Sequence, residues 1–151
     1  SAGEYWQVED AVLLPPPIRR TPLMIGSKGP RQLAATLPYA DSWNTWFDAY
    51  GNSAEGFVPL NATISEAARA AGRDPAELER SACVLVGFGD APPERRPLPE
   101  SPPLRGNDAQ IARALHDLAE AGADEAILVL DPISEDSVRR CAGVLQLLDA
   151  V

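Results

Sequence analysis

Residues 22–31 read Pro-Leu-Met-Ile-Gly-Ser-Lys-Gly-Pro-Arg, and this stretch decides how the chain folds. It begins with a short apolar run, residues 23–25, whose lack of alternation is typical of a strand covered on both faces, as in parallel sheets. It ends with Gly29-Pro30, which places a proline at the first position of a helix, where the missing N–H costs nothing. The stretch therefore predicts a strand, a turn and a helix in direct succession.

The same succession recurs three more times along the chain. Strands are predicted at residues 22–26, 39–44, 82–86 and 126–130, the last two apolar throughout. Helices are predicted after Gly29, from about Leu60 to Ala71 with Thr63 and Glu66 at capping-box spacing, after Asn107, and after Ser134, with a short helix after Asp74. Strands and helices in strict alternation predict a parallel sheet with crossover helices.

Four such units make half of an eight-unit TIM barrel, because a complete barrel needs ~250 residues and the chain has 151. We therefore predict an α/β fold in which residues 22–151 form four parallel βα units of an incomplete barrel. Residues 1–21, which include three successive prolines, are predicted to form an extended arm or hairpin. The first ten residues resemble the middle of a longer chain, so a fragment is expected.

Composition excludes several classes of function. The formal net charge of −9 argues against nucleic-acid binding, which needs clustered Lys and Arg. Cys83 and Cys141 lie in unlike contexts without CxxC spacing, so we expect packing residues rather than a disulfide or metal site, and a reducing, cytoplasmic location. No apolar stretch is long enough for a membrane span and no signal peptide is recognisable, so no membrane partner is expected.

The turn from Gly26 to Arg31 is the strongest candidate binding site. It follows the carboxyl end of a predicted buried strand and opens a helix, where free backbone N–H groups and the helix dipole favour a phosphate. Lys28 and Arg31 add positive charge to an acidic chain, and Ser27 offers a hydroxyl. The alternative is an ordinary βα turn that begins with a proline and binds nothing.

Other polar residues of the sequence do not form a recognisable catalytic set. His116, the only histidine, falls beside the apolar stripe of its predicted helix and is expected on the solvent side. Asp131, Glu135 and Asp136 crowd a helix start and are expected to stabilise its dipole. Catalytic residues therefore remain unassigned, no metal site is expected, and the proline-rich loop 89–106 is predicted to be weakly anchored.

Two blocks of the sequence resemble the signature of the luciferase-like monooxygenases. In that family a strand ends in Gly-Gly or Gly-Ser, Gly-Pro-Arg opens a helix, and Ala-Asp-Gly-Trp-Asn forms the next strand. Residues 22–31 match the first part, and residues 39–44, Tyr-Ala-Asp-Ser-Trp-Asn, match the second, with serine in place of one glycine. Residues 71–77 and 118–131 are similar to later parts of the family pattern, so the resemblance covers nearly the whole chain in the correct order.

The resemblance implies the C-terminal half of a TIM barrel and a cofactor. The phosphate of FMN or of the deazaflavin coenzyme, F420, would be held by Gly26, Ser27, Lys28, Gly29, Pro30 and Arg31. Asp41, Trp43 and Asn44, expected at the carboxyl end of the next strand, are further cofactor-site candidates. For Asp41 a structural hydrogen bond is favoured over ligand contact. Trp43 and Trp46 are expected to pack within the protein rather than to form an aromatic wall beside a flavin.

The predicted function is thus part of a flavin- or deazaflavin-dependent oxidoreductase or monooxygenase that acts on a small organic substrate. In this family the residues at the ring and the substrate come largely from the first four strands, which this chain lacks. The expected partner is an N-terminal half-barrel or a second copy of the chain. Two alternatives remain: a non-redox barrel enzyme that binds a phosphorylated substrate, and a non-catalytic half-barrel that serves in binding or assembly.

Overall fold

The computed structural model describes residues 3–5, 7–12, 14–89 and 98–149. The strands of this part of the chain are β1 (Met24–Ile25), β2 (Ser42–Thr45), β3 (Glu79–Gly87) and β4 (Glu125–Asp131). The α-helices are α1 (Pro30–Thr36), α2 (Ala54–Ala70), α3 (Asp108–Glu120) and α4 (Glu135–Leu148). Two short 3-10 segments cover Phe47–Tyr50 and Pro75–Glu77.

The four strands form one parallel sheet in the order β1-β2-β3-β4. Each strand lies beside the next along the chain, and the crossover helices follow the same order, since α1 contacts α2, α2 contacts α3 and α3 contacts α4. Right-handed crossovers between sequential strands place their helices on one face of the sheet. The predicted α/β fold with four parallel βα units is confirmed.

The core lies between the sheet and this layer of helices. It is formed by apolar side chains from every helix and from the three longer strands, with Trp43, Phe57, Ile64, Val84, Ile111 and Val144 among the most buried. The expected stripe of α3 is confirmed, because Ile111, Leu115 and Leu118 are all buried. Spacings of four and three residues place these side chains on one side of a helix.

Most predicted helix starts are confirmed. Pro30 is the first residue of α1, after Gly29. Asn107 and Gln110 form a reciprocal capping box at the start of α3. The side chain of Ser134 accepts a hydrogen bond from the backbone N–H of Ser137 at the start of α4. These pairs satisfy N–H groups that a helix start leaves without intrahelical partners.

The predicted start of α2 is wrong. The helix begins at Ala54 rather than near Leu60, and its cap is Ser53, whose Oγ accepts a hydrogen bond of 3.1 Å from Gly56 N. Gly56 and Pro59 suggest a loop in the sequence, yet both lie within the helix. Gly56 is required there because a Cβ would lie 2.0 Å from the carbonyl oxygen of Tyr50.

Several apolar side chains expected to be covered are exposed. Met24 of β1 is 49% exposed and Ile127 of β4 is 40% exposed. On α4, Val144 is buried, but Val138 and Leu145, which share the predicted stripe, are 58% and 50% exposed. The cover that these residues require does not come from the described part of this chain.

The predicted loop 89–106 lies partly outside the described residues, which resume at 98. Its described end is better anchored than the sequence suggests: Ser101 is buried, the backbone of Leu104 pairs with Val86, and Asn52 donates to the Pro102 carbonyl. Among the described helices, none is long and apolar enough to cross a membrane.

Candidate functional site

The turn after β1 is held by a buried residue of β2. Trp43, which is 1% exposed, donates a hydrogen bond of 2.7 Å from its indole Nε1 to the carbonyl oxygen of Ser27. The hydroxyl of Ser27 accepts from Gly29 N at 3.2 Å and donates to Gln32 Oε1 at 2.6 Å. These three bonds fix the path of residues 26–29 between the strand and α1.

A cleft of about 210 Å³ opens beside this turn. It lies at the carboxyl ends of β1 and β2, the edge of a parallel sheet at which barrel enzymes bind their ligands. Its lining combines the turn with the end of β2 and the following 3-10 segment: Gly26, Ser27, Lys28, Trp43, Asn44, Thr45, Trp46, Asp48 and Ala49. Five of the nine predicted site residues, Gly26, Ser27, Lys28, Trp43 and Asn44, therefore come together in one cleft.

Four residues of this cleft were not predicted as site residues: Thr45, Trp46, Asp48 and Ala49. Two of them bear on ligand chemistry. Trp46, 43% exposed, packs its ring at 4.8 Å from that of Phe47, and Asp48 is exposed one residue further on. Both follow β2 directly, so position after a strand end was the signal that could have identified them. They supply an aromatic surface and a carboxylate to a wall of the cleft.

Three predicted residues lie beside the cleft without lining it. Gly29, Pro30 and Arg31 form the start of α1, and Pro30 and Arg31 are exposed. Because α1 has only seven residues, its dipole is small, and the positive charge at this end of the sheet comes mainly from Lys28 and Arg31.

Asn44 belongs to a chain of hydrogen bonds that crosses the sheet. Its Nδ2 donates to the Ser81 hydroxyl at 3.0 Å and lies 3.7 Å from the Cys83 sulfur, and the Ser81 hydroxyl donates to Glu125 Oε2 at 2.5 Å. The neighbouring Arg80 contacts α2 through Asn61 and Ser65. Since side chains alternate along a strand, the Asn44 chain occupies the sheet face opposite the helices.

The expected position of Asp41 is wrong. It precedes β2 at the amino end of the sheet, where its carboxylate accepts hydrogen bonds from Arg20 Nη1 at 2.6 Å and from Leu23 N at 2.8 Å. These two hydrogen bonds hold the pKa of the Asp41 carboxyl below its ordinary value. The strand starts at Ser42, later than predicted, so Asp41 and Asn44 lie at opposite ends of β2.

The remaining polar residues fit structural roles. His116 is partly exposed on α3, 3.5 Å from Glu120, and Glu135 and Asp136 lie in the first turn of α4. Among the described residues, no group of three or more His, Cys, Asp or Glu side chains is arranged to hold a metal ion.

The sequence of this chain matches the profile of a known protein family. The profile described as luciferase-like monooxygenase matches residues 1–97, which include β1, the turn, the cleft and all of β3. The chain belongs to the luciferase-like monooxygenase family. A search among curated proteins finds no match.

Solved structures agree with this family fold. An F420-dependent secondary alcohol dehydrogenase, solved in complex with an F420-acetone adduct, is similar with a TM-score of 0.73 at 16% identity over 97% of this chain. A coenzyme F420 dependent tetrahydromethanopterin reductase from Methanopyrus kandleri is similar with a TM-score of 0.63 at 16% identity over 85% of the chain. The luciferase-like chain covers 55% and 50% of these two structures, so it spans about half of their length.

Proposed function

We propose that this chain carries the coenzyme-phosphate site of a flavin- or deazaflavin-dependent oxidoreductase or monooxygenase. The observation that carries the proposal is the cleft beside β1, which joins the turn and the cation of Lys28 to the end of β2 in a member of the luciferase-like family. Among the described residues, no carboxylate lies within ion-pair distance of Lys28 or Arg31.

The turn offers a phosphate both charge and space. A Cβ built on Gly26 would meet nothing within 4 Å, so the backbone there is open to close approach by a ligand. Lys28 and Arg31 would neutralise the anion, and backbone N–H groups of the turn would donate to its oxygens. The Ser27 hydroxyl, now shared between Gly29 N and Gln32, is a further donor that ligand binding could redirect.

The coenzyme ring would supply the redox chemistry, as hydride transfer or oxygen activation. The role of the chain is to hold and orient the phosphate end, so that the ring is placed at the carboxyl face of the barrel. Both F420-dependent structures named above favour the deazaflavin form over FMN.

The complete active site needs more than this chain. The β1 and β4 strands leave sheet edges open, and Ile127 and Leu145 are exposed beside one of them. Four further βα units, from an N-terminal half-barrel or a second copy, would close both edges and add residues for the ring and a small organic substrate.

The test uses the complete polypeptide and the variants Lys28→Ala and Gly29→Val. Gly29 has an ordinary extended conformation, and its nearest neighbours to a built Cβ lie at 3.4 and 3.8 Å, so valine should be compatible with the fold while it obstructs the turn. We expect Lys28→Ala to weaken FMN or F420 binding by about tenfold or more, the scale of one charged hydrogen bond. We expect Gly29→Val to weaken binding as well, because the added side chain obstructs approach to the backbone of the turn. Arg69→Ala, an exposed cation on α2, is the matched control.

Absorbance of the purified protein separates the redox proposal from a non-redox phosphate site. A flavin or deazaflavin spectrum that disappears in Lys28→Ala and persists in Arg69→Ala supports the proposal. Unchanged coenzyme affinity in both turn variants contradicts the phosphate assignment, and binding of a phosphorylated substrate without any coenzyme contradicts the redox function.

A further inference from the structure

The cleft beside β1 carries two opposite charges, those of Lys28 and Asp48. Lys28 enters it from the turn and Asp48 from the 3-10 segment, and neither forms an ion pair within 4 Å among the described residues. A phosphate alone would gain from Lys28 and be repelled by Asp48. A site built for phosphate only therefore does not explain the carboxylate.

Asp48 lies in a 3-10 segment that buried side chains and hydrogen bonds attach to the core. Its neighbour Phe47 is buried, and the Tyr50 hydroxyl donates to the Cys83 carbonyl at 2.8 Å. The side chain of Asn52 pairs with the backbone of Leu85 through both its oxygen, at 3.0 Å, and its nitrogen, at 2.9 Å. The carboxyl end of the segment is thus anchored to β3, and Asp48 is exposed at the cleft.

We propose that Asp48 binds hydroxyl groups of the ligand, so that the cleft recognises a phosphorylated polyol rather than phosphate alone. A carboxylate is an acceptor-only group and recognises O–H donors through short, charge-assisted hydrogen bonds. Trp46, exposed between β2 and Asp48, provides an apolar surface for the carbon chain that joins these hydroxyls.

This inference rests on the proposed coenzyme-phosphate site and identifies the adjoining chemical group. In both FMN and the deazaflavin coenzyme, a ribityl chain with free hydroxyls connects the phosphate to the ring. Lys28 would then contact the phosphate, and Asp48 the hydroxyls that follow it. Asp48 would thus favour a phosphorylated coenzyme over free phosphate, which has no hydroxyl-bearing chain.

The experiment compares two probes on the complete polypeptide: inorganic phosphate, measured by calorimetry, and FMN or F420, measured by their own fluorescence. In Asp48→Ala we expect coenzyme affinity to fall about tenfold, as one charge-assisted hydrogen bond is lost. In the same variant we expect phosphate affinity to rise about twofold or more, because a repulsive charge is removed. Asp48→Asn keeps a carbonyl acceptor, so its affinity for the coenzyme should lie between those of the wild type and Asp48→Ala.

Glu66→Gln is the matched control, because it removes one exposed carboxylate from α2, outside the cleft lining. Opposite shifts for coenzyme and phosphate in Asp48→Ala, with no shift in Glu66→Gln, support the inference. Shifts of the same sign, or unchanged coenzyme affinity, overturn it, as does coenzyme binding that a metal chelator abolishes. If the wild type binds neither probe, the phosphate site itself fails, which is a distinguishable result. FMN and F420 measured side by side identify which coenzyme supplies the hydroxyls.

Discussion

Trp43 Nε1 lies 2.7 Å from the carbonyl oxygen of Ser27, and this hydrogen bond joins residues 39–44 to the turn that follows β1. The register explains the contact, because Trp43 pairs with Ile25, the last residue before the turn. The Trp43 side chain on β2 therefore fixes the backbone that follows β1. Trp43 acts on the cleft by positioning the turn.

Trp43→Phe keeps the aromatic packing and removes the hydrogen bond to Ser27. We expect a loss of roughly 1–3 kcal/mol in the free energy of unfolding, since a partly buried carbonyl loses its partner, together with weaker coenzyme binding. Chemical denaturation and coenzyme titration measure the two effects. Trp46→Phe, which changes an exposed ring, is the control and should leave the free energy of unfolding nearly unchanged. Equal stability of the two variants would contradict the positioning role of Trp43.

Asp41→Asn tests the carboxylate at the amino end of the sheet. Hydrogen bonds from Arg20 and Leu23 lower the pKa of Asp41 in the folded state. Its stabilising contribution is therefore present above the unfolded pKa, near 3.9, and is lost as the pH falls through the lowered folded pKa. The melting temperatures of wild type and Asp41→Asn should differ at neutral pH and converge in acid. A difference that is constant across this range would contradict the assignment.

The repeating pattern of strand and helix was readable from the sequence because it depends on local signals. Apolar runs located β3 and β4, and capping residues such as Asn107 and Ser134 located two helix starts. The turn 26–31 was recognisable for the same reason: its glycines and proline have direct backbone consequences. Three predicted site residues of the turn and two of β2 line the same cleft, because the carboxyl ends of adjacent parallel strands meet at one edge of the sheet.

What the sequence could not provide depends on long-range packing. Gly56 and Pro59 suggest a loop, yet both lie within α2, and only glycine leaves room for the Tyr50 carbonyl oxygen at position 56. Asp41 was placed at the wrong end of β2 because the strand start depends on pairing with Leu23, not on local composition. Asp48 was missed because its place in the lining of the cleft depends on how the 3-10 segment is anchored on β3.

Ser53→Ala and Thr63→Ala distinguish the observed start of α2 from the predicted one. Ser53 accepts the hydrogen bond from Gly56 N, so its loss should cost about 1 kcal/mol of unfolding free energy. Thr63 is an exposed mid-helix residue whose hydroxyl donates to the Pro59 carbonyl, so alanine should be neutral or slightly stabilising. Urea denaturation measures the free energy of unfolding of both variants. A larger loss of stability in Thr63→Ala than in Ser53→Ala would favour a helix that begins near Leu60.

The isolated 151-residue chain should not be a stable monomer. Its sheet has two open edges, and Met24, Ile127, Val138 and Leu145 expose large apolar surfaces. Such surfaces favour association in water. Light scattering should detect dimers or larger species, whereas a monodisperse species of about 16.1 kDa with a cooperative melt would favour a self-contained domain.

The most direct measurement is a crystal structure of the complete polypeptide soaked with FMN or F420. The proposed function predicts that the phosphorus lies against the turn 26–29, with Lys28 and backbone N–H groups within hydrogen-bond distance of its oxygens. It also predicts that the ribityl hydroxyls follow toward Asp48. A coenzyme phosphate bound at the carboxyl end of another strand, with this cleft empty, would contradict the account.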